Sequence, residues 1–332
     1  MRALRGRFYV SVVVGSLILT GCPTERKQSP YVPPIQSASI APETHASSGL
    51  IPPNPSQVVG SCAASNSVVM LQVGSCPSGS PTVPKSSAPP APQASAKAPG
   101  QTAGNCSPPT ANGILVPLYV YPSTSAVWAP VISAKQANPT KNIVGIINPN
   151  SGPGTAVDPV YLAAVQQAQA AGIYTIGYIV TDYAAASLSS MEQQVSEYNQ
   201  WYHPCGIFVD NMAYTAGEES YYSTLTKYIK SLGMQLVVGN PGADTIPSYI
   251  GTVDTIQISE NPGIPSLSFL GGWHSAYPKS NFAFTAYGVP TLDAAAEQSA
   301  AQYVQYEYIT TRAEPNPYDQ FPSYFSAEVN AI

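Results

Sequence analysis

From about residue 111 onward, short apolar runs alternate with amphipathic stretches. The apolar runs are Ile114 to Tyr121, Asn142 to Ile147, Ile173 to Val180, Gly206 to Asp210, Met234 to Gly239, Thr255 to Glu260, Asn281 to Ala286 and Tyr306 to Thr310. In several, large apolar residues follow one another without alternation, as in Ile207-Phe208-Val209. That pattern marks strands buried on both faces of a parallel sheet. Helical periodicity covers Ala126 to Ala137, Pro159 to Ala171, Leu188 to Trp201, Glu218 to Leu232 and Leu292 to Val304, and Gly172 and Gly233 stand at two C-terminal stops. Between Thr255 and Asn281 the helix is less clear, because Pro262, Gly263 and Pro265 interrupt it.

Eight strands alternating with crossovers over about 220 residues predict an α/β fold, a single (β/α)8 TIM barrel spanning 111–332. The rival, a doubly wound open sheet, opens with a Gly-rich phosphate loop after its first strand. Tyr121-Pro122-Ser123 is no such loop.

The residues before the barrel follow another logic. Arg2, Arg5 and Arg7 precede the apolar stretch Phe8 to Leu19, which is too short for a comfortable transmembrane helix. Leu19-Thr20-Gly21-Cys22 then resembles the lipobox of bacterial lipoproteins, in which cleavage before the cysteine leaves it to carry lipid. The expectation is a signal peptide over 1–21 and a membrane anchor at Cys22; an ordinary signal peptide with a chance cysteine is the alternative. Pro23 replaces the aspartate that retains such proteins in an inner membrane, which favours the outer membrane or cell surface. Residues 22–110 are dominated by Pro, Ser, Ala, Gly and Gln and bury too little apolar surface to offset ordering entropy, so they read as a disordered tether.

In an exported chain the remaining cysteines, Cys62, Cys76, Cys106 and Cys205, are disulfide candidates with three possible pairings. Cys62 with Cys76 would close a small loop in the tether. Cys106 and Cys205 precede the first and fourth predicted strands, near one face of the barrel. A bridge between them and a simply buried Cys205 are both open there.

The C-terminal ends of the strands carry the candidate chemistry. In order they offer Tyr121, Asn148, Thr181 with Asp182 and Tyr183, Asp210 with Asn211, Asn240, Glu260, Tyr287, and Thr310 with Thr311. A barrel gathers its functional groups on this rim, so the convergence describes a binding cleft. A lone strand-end aspartate is as often a helix cap, and Asp182 reads equally as a cap or a cleft residue. The barrel carries six Lys/Arg against sixteen Asp/Glu. That balance disfavours nucleic acid and would draw a cationic polymer. His203 and His274 are the barrel's two histidines, and no His-x-x-x-His or Cys-x-x-Cys spacing occurs. No metal, cofactor or nucleotide is implied, and no protein partner is predicted.

Six segments carry a resemblance: Gly113 to Pro122 (GILVPLYVYP), Ile147 to Gly154 (INPNSGPG), Ile176 to Tyr183 (IGYIVTDY), Gly206 to Asp210 (GIFVD), Gly239 to Gly242 (GNPG) and Asn316 to Tyr324 (NPYDQFPSY). Together they resemble the spherulin 4 (spherulation-specific family 4) domain over nearly the whole of 112–328. The resemblance implies a (β/α)8 barrel and a glycoside hydrolase family whose characterised members cleave α-1,4-linked N-acetylgalactosamine inside galactosamine-containing exopolysaccharides. The family pattern at the fourth strand is Gly-x-Phe-x-Asp-Glu, and another Glu ends the sixth. Asp210 and Glu260 match; Asn211 stands where the second acid is expected.

Glycosidic cleavage needs one protonated carboxyl group and one ionised. Glu260, led in by Ile256 and Ile258, is the expected general acid/base, since desolvation raises a carboxyl pKa. Asp210 is the expected nucleophile or stabiliser. In a variant scheme the substrate's acetamido group attacks, with Asp210 orienting it and Asn211 donating to its oxygen. The competing reading of Glu260 is a carboxylate satisfied by the Pro262-Gly263 turn. Tyr121, Tyr183 and Tyr287, with Asn148, Asp182, Asn211 and Asn240, are the expected substrate contacts. At the level of the whole chain, a lipid-anchored glycosidase competes with a surface glycan-binding lipoprotein whose site has lapsed at Asn211, and with a structural envelope lipoprotein.

Overall fold

A computed structural model of the chain describes residues 106–332. The expected signal peptide over 1–21, Cys22, Cys62, Cys76 and nearly all of the expected tether lie outside the described residues. Strands β1 (Gly113–Leu118), β2 (Asn142–Ile147), β3 (Tyr174–Val180), β4 (Gly206–Asp210), β5 (Leu236–Asn240), β6 (Thr255–Pro262), β7 (Phe282–Tyr287) and β8 (Tyr306–Ile309) form a closed parallel barrel in sequence order. β1 pairs with β8 to close it. Helices α1 (Ala129–Ala137), α2 (Pro159–Ala170), α3 (Leu188–Trp201) and α4 (Glu219–Ser231) cover the first four crossovers. The interrupted crossover after β6 holds one turn, α5 (Leu267–Leu270); α6 (Ala294–Ala300) precedes β8 and α7 (Phe325–Ala331) follows it.

Caps explain where several helices begin. Asp158 accepts from the Val160 and Tyr161 N–H groups ahead of Pro159, which is favoured in the first helical turn. Asp293 accepts from Ala295 and Ala296, so α6 starts later than its apolar periodicity suggested. β1 stops at Leu118 rather than Tyr121, and the Val120 carbonyl instead takes the Trp128 indole N–H at 2.9 Å.

Two apolar layers hold the barrel. Leu115, Ile146, Tyr174, Ile176, Phe208 and Val238 belong to the cluster that fills its interior. Outside, the helices pack on the other strand face, closely enough at Gly177 that a Cβ there would lie 2.7 Å from the Tyr198 ring. Three of these helices send a buried tyrosine back to the rim. Tyr161 of α2 donates to the Leu118 carbonyl and receives the Asn148 N–H, Tyr198 of α3 donates to Ile147, and Tyr222 of α4 receives the Ala213 N–H. Each bond satisfies a backbone group just past or at the end of a strand, where an unpaired buried group would cost about 1 to 3 kcal/mol.

At the opposite end Cys106 and Cys205 form a disulfide with Cα atoms 5.2 Å apart, so Cys205 is bridged rather than simply buried. The bridge spans a sequence separation of 99. Closing a loop of that length stabilises by roughly 4 to 5 kcal/mol on a chain-entropy account. The Tyr174 hydroxyl, 3.0 Å from the Cys205 carbonyl and 3.3 Å from that of Cys106, ties both to the barrel floor.

One feature of the outer layer runs against ordinary packing. Glu297 of α6, Glu307 of β8 and Glu328 of α7 are buried, and both carboxyl oxygens of Glu297 and Glu307 lack hydrogen-bond partners. Glu328 accepts the Ile309 N–H through one oxygen only. Burial pushes Glu297 up to about 8 and Glu307 to about 9, and lifts Glu328 well above the carboxylate range. Glu297 and Glu307 repel each other, Tyr308 and Tyr324 sit in the field of Glu328, and Lys279 offers Glu307 weak relief. The folded chain therefore binds protons that the unfolded chain releases near pH 4.5. Stability contributed by these groups is complete below that pH and is lost as pH rises through 8 to 9. The thermal midpoint is expected to fall between pH 6 and 9.5, and Glu307→Gln to flatten that fall; an unchanged slope in the variant would refute this assignment.

Candidate active site

Alternation along β4 points Phe208 and Asp210 into the barrel. Asp210 ends the strand in register with Asn240, the last residue of β5. The Asn240 amide nitrogen donates 2.9 Å to Asp210 Oδ1 and 2.8 Å to Glu260 Oε2. Its own carbonyl oxygen accepts the Gly242 N–H at 2.9 Å, which fixes the amide with its donors toward the two acids. Two bonds from one amide nitrogen draw an oxygen of each acid to the same donor.

Glu260 reaches this position through an irregularity. The pairing of β6 with β7 shifts register between Gln257 and Ser259. In a regular strand residues three apart face opposite sides; the extra residue lets both Gln257 and Glu260 line the cleft. Gln257 Nε2 lies 3.4 Å from Glu260 Oε2, and its oxygen accepts from Thr285 Oγ1 at 3.1 Å.

Two tyrosines complete the polar shell. Tyr178 of β3 donates 2.5 Å to Asp210 Oδ2, and Tyr318, from the segment after β8, donates to Glu260 Oε1. Tyr119 packs edge-on against both rings, with centroids 5.5 Å away in each case. An Asx turn from Asn316 to the Tyr318 N–H shapes that segment, and a two-pronged pair of Arg312 with Asp319 braces it. Pro117, Tyr119, Ile146 and Phe208 line the same small pocket as the two acids.

Both acids are almost wholly removed from water, Asp210 at 6% and Glu260 at 7% exposure. Burial first, and the charge of Asp210 second, lift Glu260 to about 7 against the Tyr318 and Asn240 hydrogen bonds. Burial also raises Asp210, opposed by Tyr178, the Asn211 N–H and Asn240. Two acids this close in a dry site do not both ionise readily, so Glu260 keeps its proton up to about pH 7.

Of the residues expected at the rim, the cleft brings together Asp210, Glu260 and Asn240. Asn211 adjoins them through its N–H but is not among the lining side chains; its backbone is left-handed at φ 47°. Tyr121 donates to Asp158 Oδ2, the α2 cap, at 2.9 Å, and Asn148 accepts the Gly152 N–H at 3.0 Å. Tyr287 is buried at the end of β7, and its carbonyl takes the Gly263 N–H, so that turn serves Tyr287 and not Glu260. Asp182 and Tyr183 lie in a left-handed turn beside the cleft. His274 is buried and held by Asp244 at 2.9 Å and the Phe269 carbonyl at 3.1 Å. Among the described residues no group of three or more His, Cys, Asp or Glu is arranged to hold a metal ion.

Sequence reasoning missed Tyr119, Tyr178, Gln257, Thr285 and Tyr318. Tyr178 shares the inward parity of Tyr174 and Ile176, which was the available signal. No spacing announces Tyr318, because a loop carries it.

Residues 113–332 match the model of spherulation-specific family 4. Spherulin-4 of Physarum polycephalum is 30% identical over 234 residues, spanning 66% of this chain and 69% of its own length. The crystal structure of Aspergillus clavatus Sph3 in complex with GalNAc is similar at a TM-score of 0.58 and 25% identity, covering 67% of this chain and 97% of Sph3. The family match takes in every strand of the barrel and both cleft carboxylates: the chain belongs to spherulation-specific family 4.

Proposed function

We propose that this barrel is a glycoside hydrolase that cleaves α-1,4-linked N-acetylgalactosamine or galactosamine polysaccharide internally. The observation that carries the reading is the pair of buried carboxyl groups on one amide, with the proton held on Glu260 near neutral pH. The similarity to Sph3, crystallised with GalNAc, supports a carbohydrate ligand and a hydrolase of this type.

Glu260 gives its proton to the departing glycosidic oxygen as the C1–O bond breaks, and Asp210, ionised, attacks C1 or stabilises its positive charge. Two acids drawn to one amide nitrogen suit a retaining enzyme, whose carboxyl groups stand close together; an inverting one needs roughly 6.5 to 9.5 Å to admit water between the acids. In the second step water loses a proton to Glu260 and attacks C1 while Asp210 departs. The product keeps the configuration of the substrate, and both acids return to their starting states.

Asn211 favours one second reading, a glycan-binding domain without turnover, because an amide occupies the position of the family's other acid. Its φ of 47° is tolerated better by asparagine than by glutamate. We further propose that Cys22 carries lipid and holds the barrel at the cell envelope, on the outer membrane or cell surface.

The full chain incubated with partly deacetylated α-1,4-galactosaminan is expected to release reducing ends with net retention by NMR. Glu260→Gln and Asp210→Asn are each expected to lower the rate by about 10² to 10⁴. Release that persists in both variants would sink the assignment. Binding without release, restored to turnover by Asn211→Glu, would establish the second reading. The rate should fall above pH 7 as Glu260 loses its proton, and fall again in acid as Asp210 gains one. Tyr318 donates to the charged form of Glu260, so Tyr318→Phe is expected to move the alkaline limb to higher pH; a downward shift or none would contradict the geometry. For the anchor, Cys22→Ser is expected to move the chain from the membrane fraction to the soluble one, and an unchanged distribution would remove the lipid.

A further inference from the structure

Two tyrosines beside the carboxylates are not absorbed by the core. Tyr183 is 39% exposed and Tyr214 is 36% exposed, and their rings meet edge to face with centroids 6.2 Å apart. Single exposed aromatic residues are common, but a contacting pair on the functional rim is less easily put down to chance.

The backbone under each ring is held in place. Asp182, Tyr183 and Ala184 are consecutive left-handed residues, with φ of 48°, 55° and 73°, and none is glycine. Such a turn costs conformational energy that the surroundings must hold. Here the Tyr183 N–H donates 2.7 Å to the Asn211 carbonyl, next to Asp210, and the Ala186 N–H closes the turn onto Thr181 at 3.1 Å. Under Tyr214, the Ala213 N–H donates to the Tyr222 hydroxyl at 2.7 Å and the Thr215 carbonyl accepts from Tyr249 at 2.6 Å. The residues on both sides of Tyr214 are pinned while its ring faces solvent.

We infer that Tyr183 and Tyr214 form a second sugar subsite, an aromatic platform that takes a neighbouring residue of a hexosamine polymer when another occupies the cleft at Asp210 and Glu260. This rests on the carbohydrate reading above and specifies where the chain runs: over the side of the rim formed by the ends of β3 and β4. An aromatic face receives the C–H face of a pyranose and attracts the ammonium of a deacetylated residue. Rings whose backbones are already fixed lose little freedom on binding.

The test uses the full chain carrying Glu260→Gln, so that ligand persists, titrated calorimetrically with N-acetylgalactosamine and with an α-1,4-linked galactosamine oligosaccharide. The oligosaccharide is expected to bind more tightly than the monosaccharide. Tyr183→Ala and Tyr214→Ala should each weaken oligosaccharide binding roughly three- to tenfold and leave the monosaccharide unchanged. Tyr214→Phe should keep the affinity, and as its loop stays bonded on both sides, Tyr214 reads the platform even where Tyr183→Ala disturbs the turn. Equal affinity for both ligands, or an oligosaccharide affinity indifferent to Tyr214→Ala, would overturn the platform. Reducing-end release by the parent chain with no tyrosine dependence would overturn the platform alone; tyrosine-dependent chain-length preference without release would overturn the hydrolase and leave the platform standing.

Discussion

The site depends on one amide. Asn240 Nδ2 has two hydrogens and spends both on carboxyl groups, and its oxygen is tied to the Gly242 N–H so that the orientation cannot reverse without loss. Drawing two acids onto one donor in a dry cavity forces their titrations apart. Burial raises both, and the pair resolves the conflict by holding one proton. Which acid holds it follows from the donors: Asp210 gathers Tyr178, the Asn211 N–H and Asn240, all of which favour its charge, whereas Glu260 also feels the charge of Asp210. Proton donor and anion are thus set by neighbours, not by the acids themselves.

The rim that carries this pair is secured from outside. Helices α2, α3 and α4 each project a tyrosine whose hydroxyl bonds backbone at or beyond a strand end, so the position of that rim is tied to helix packing. This accounts for three buried tyrosines, Tyr161, Tyr198 and Tyr222, without invoking ligand, and it separates them from Tyr178 and Tyr318, whose hydroxyls bond carboxylates, and from Tyr183 and Tyr214, which are partly exposed.

What could be read from the chain follows from which interactions are local. Continuous apolar runs such as Ile207 to Val209 announce buried parallel strands, and the strand-end positions of Asp210 and Asn240 follow from them directly, whereas β6 runs on past Glu260 to Pro262. Side-chain parity was readable too, and would have found Tyr178. The shift between Gln257 and Ser259 was not, because a bulge shows only against its partner strand, and without it Gln257 and Glu260 would face opposite sides. Tyr318 lies beyond any periodic argument, since the long-range bond to Glu260 alone assigns its place. Tyr121 and Asn148 are held by local bonds to Asp158 and Gly152, partners that strand periodicity does not announce.

Position 211 joins these strands of argument. A left-handed residue there turns the chain so that its N–H meets Asp210 and its carbonyl receives the Tyr183 N–H and Thr181 Oγ1. These are backbone services, and asparagine performs them in a conformation it tolerates better than longer side chains. The amide-bridged pair of Asp210 and Glu260 draws on the N–H of Asn211 and not on its side chain. The aromatic pair is fixed to the carbonyl of Asn211 through the Tyr183 N–H, so one residue's backbone serves both the carboxylates and the tyrosines beside them.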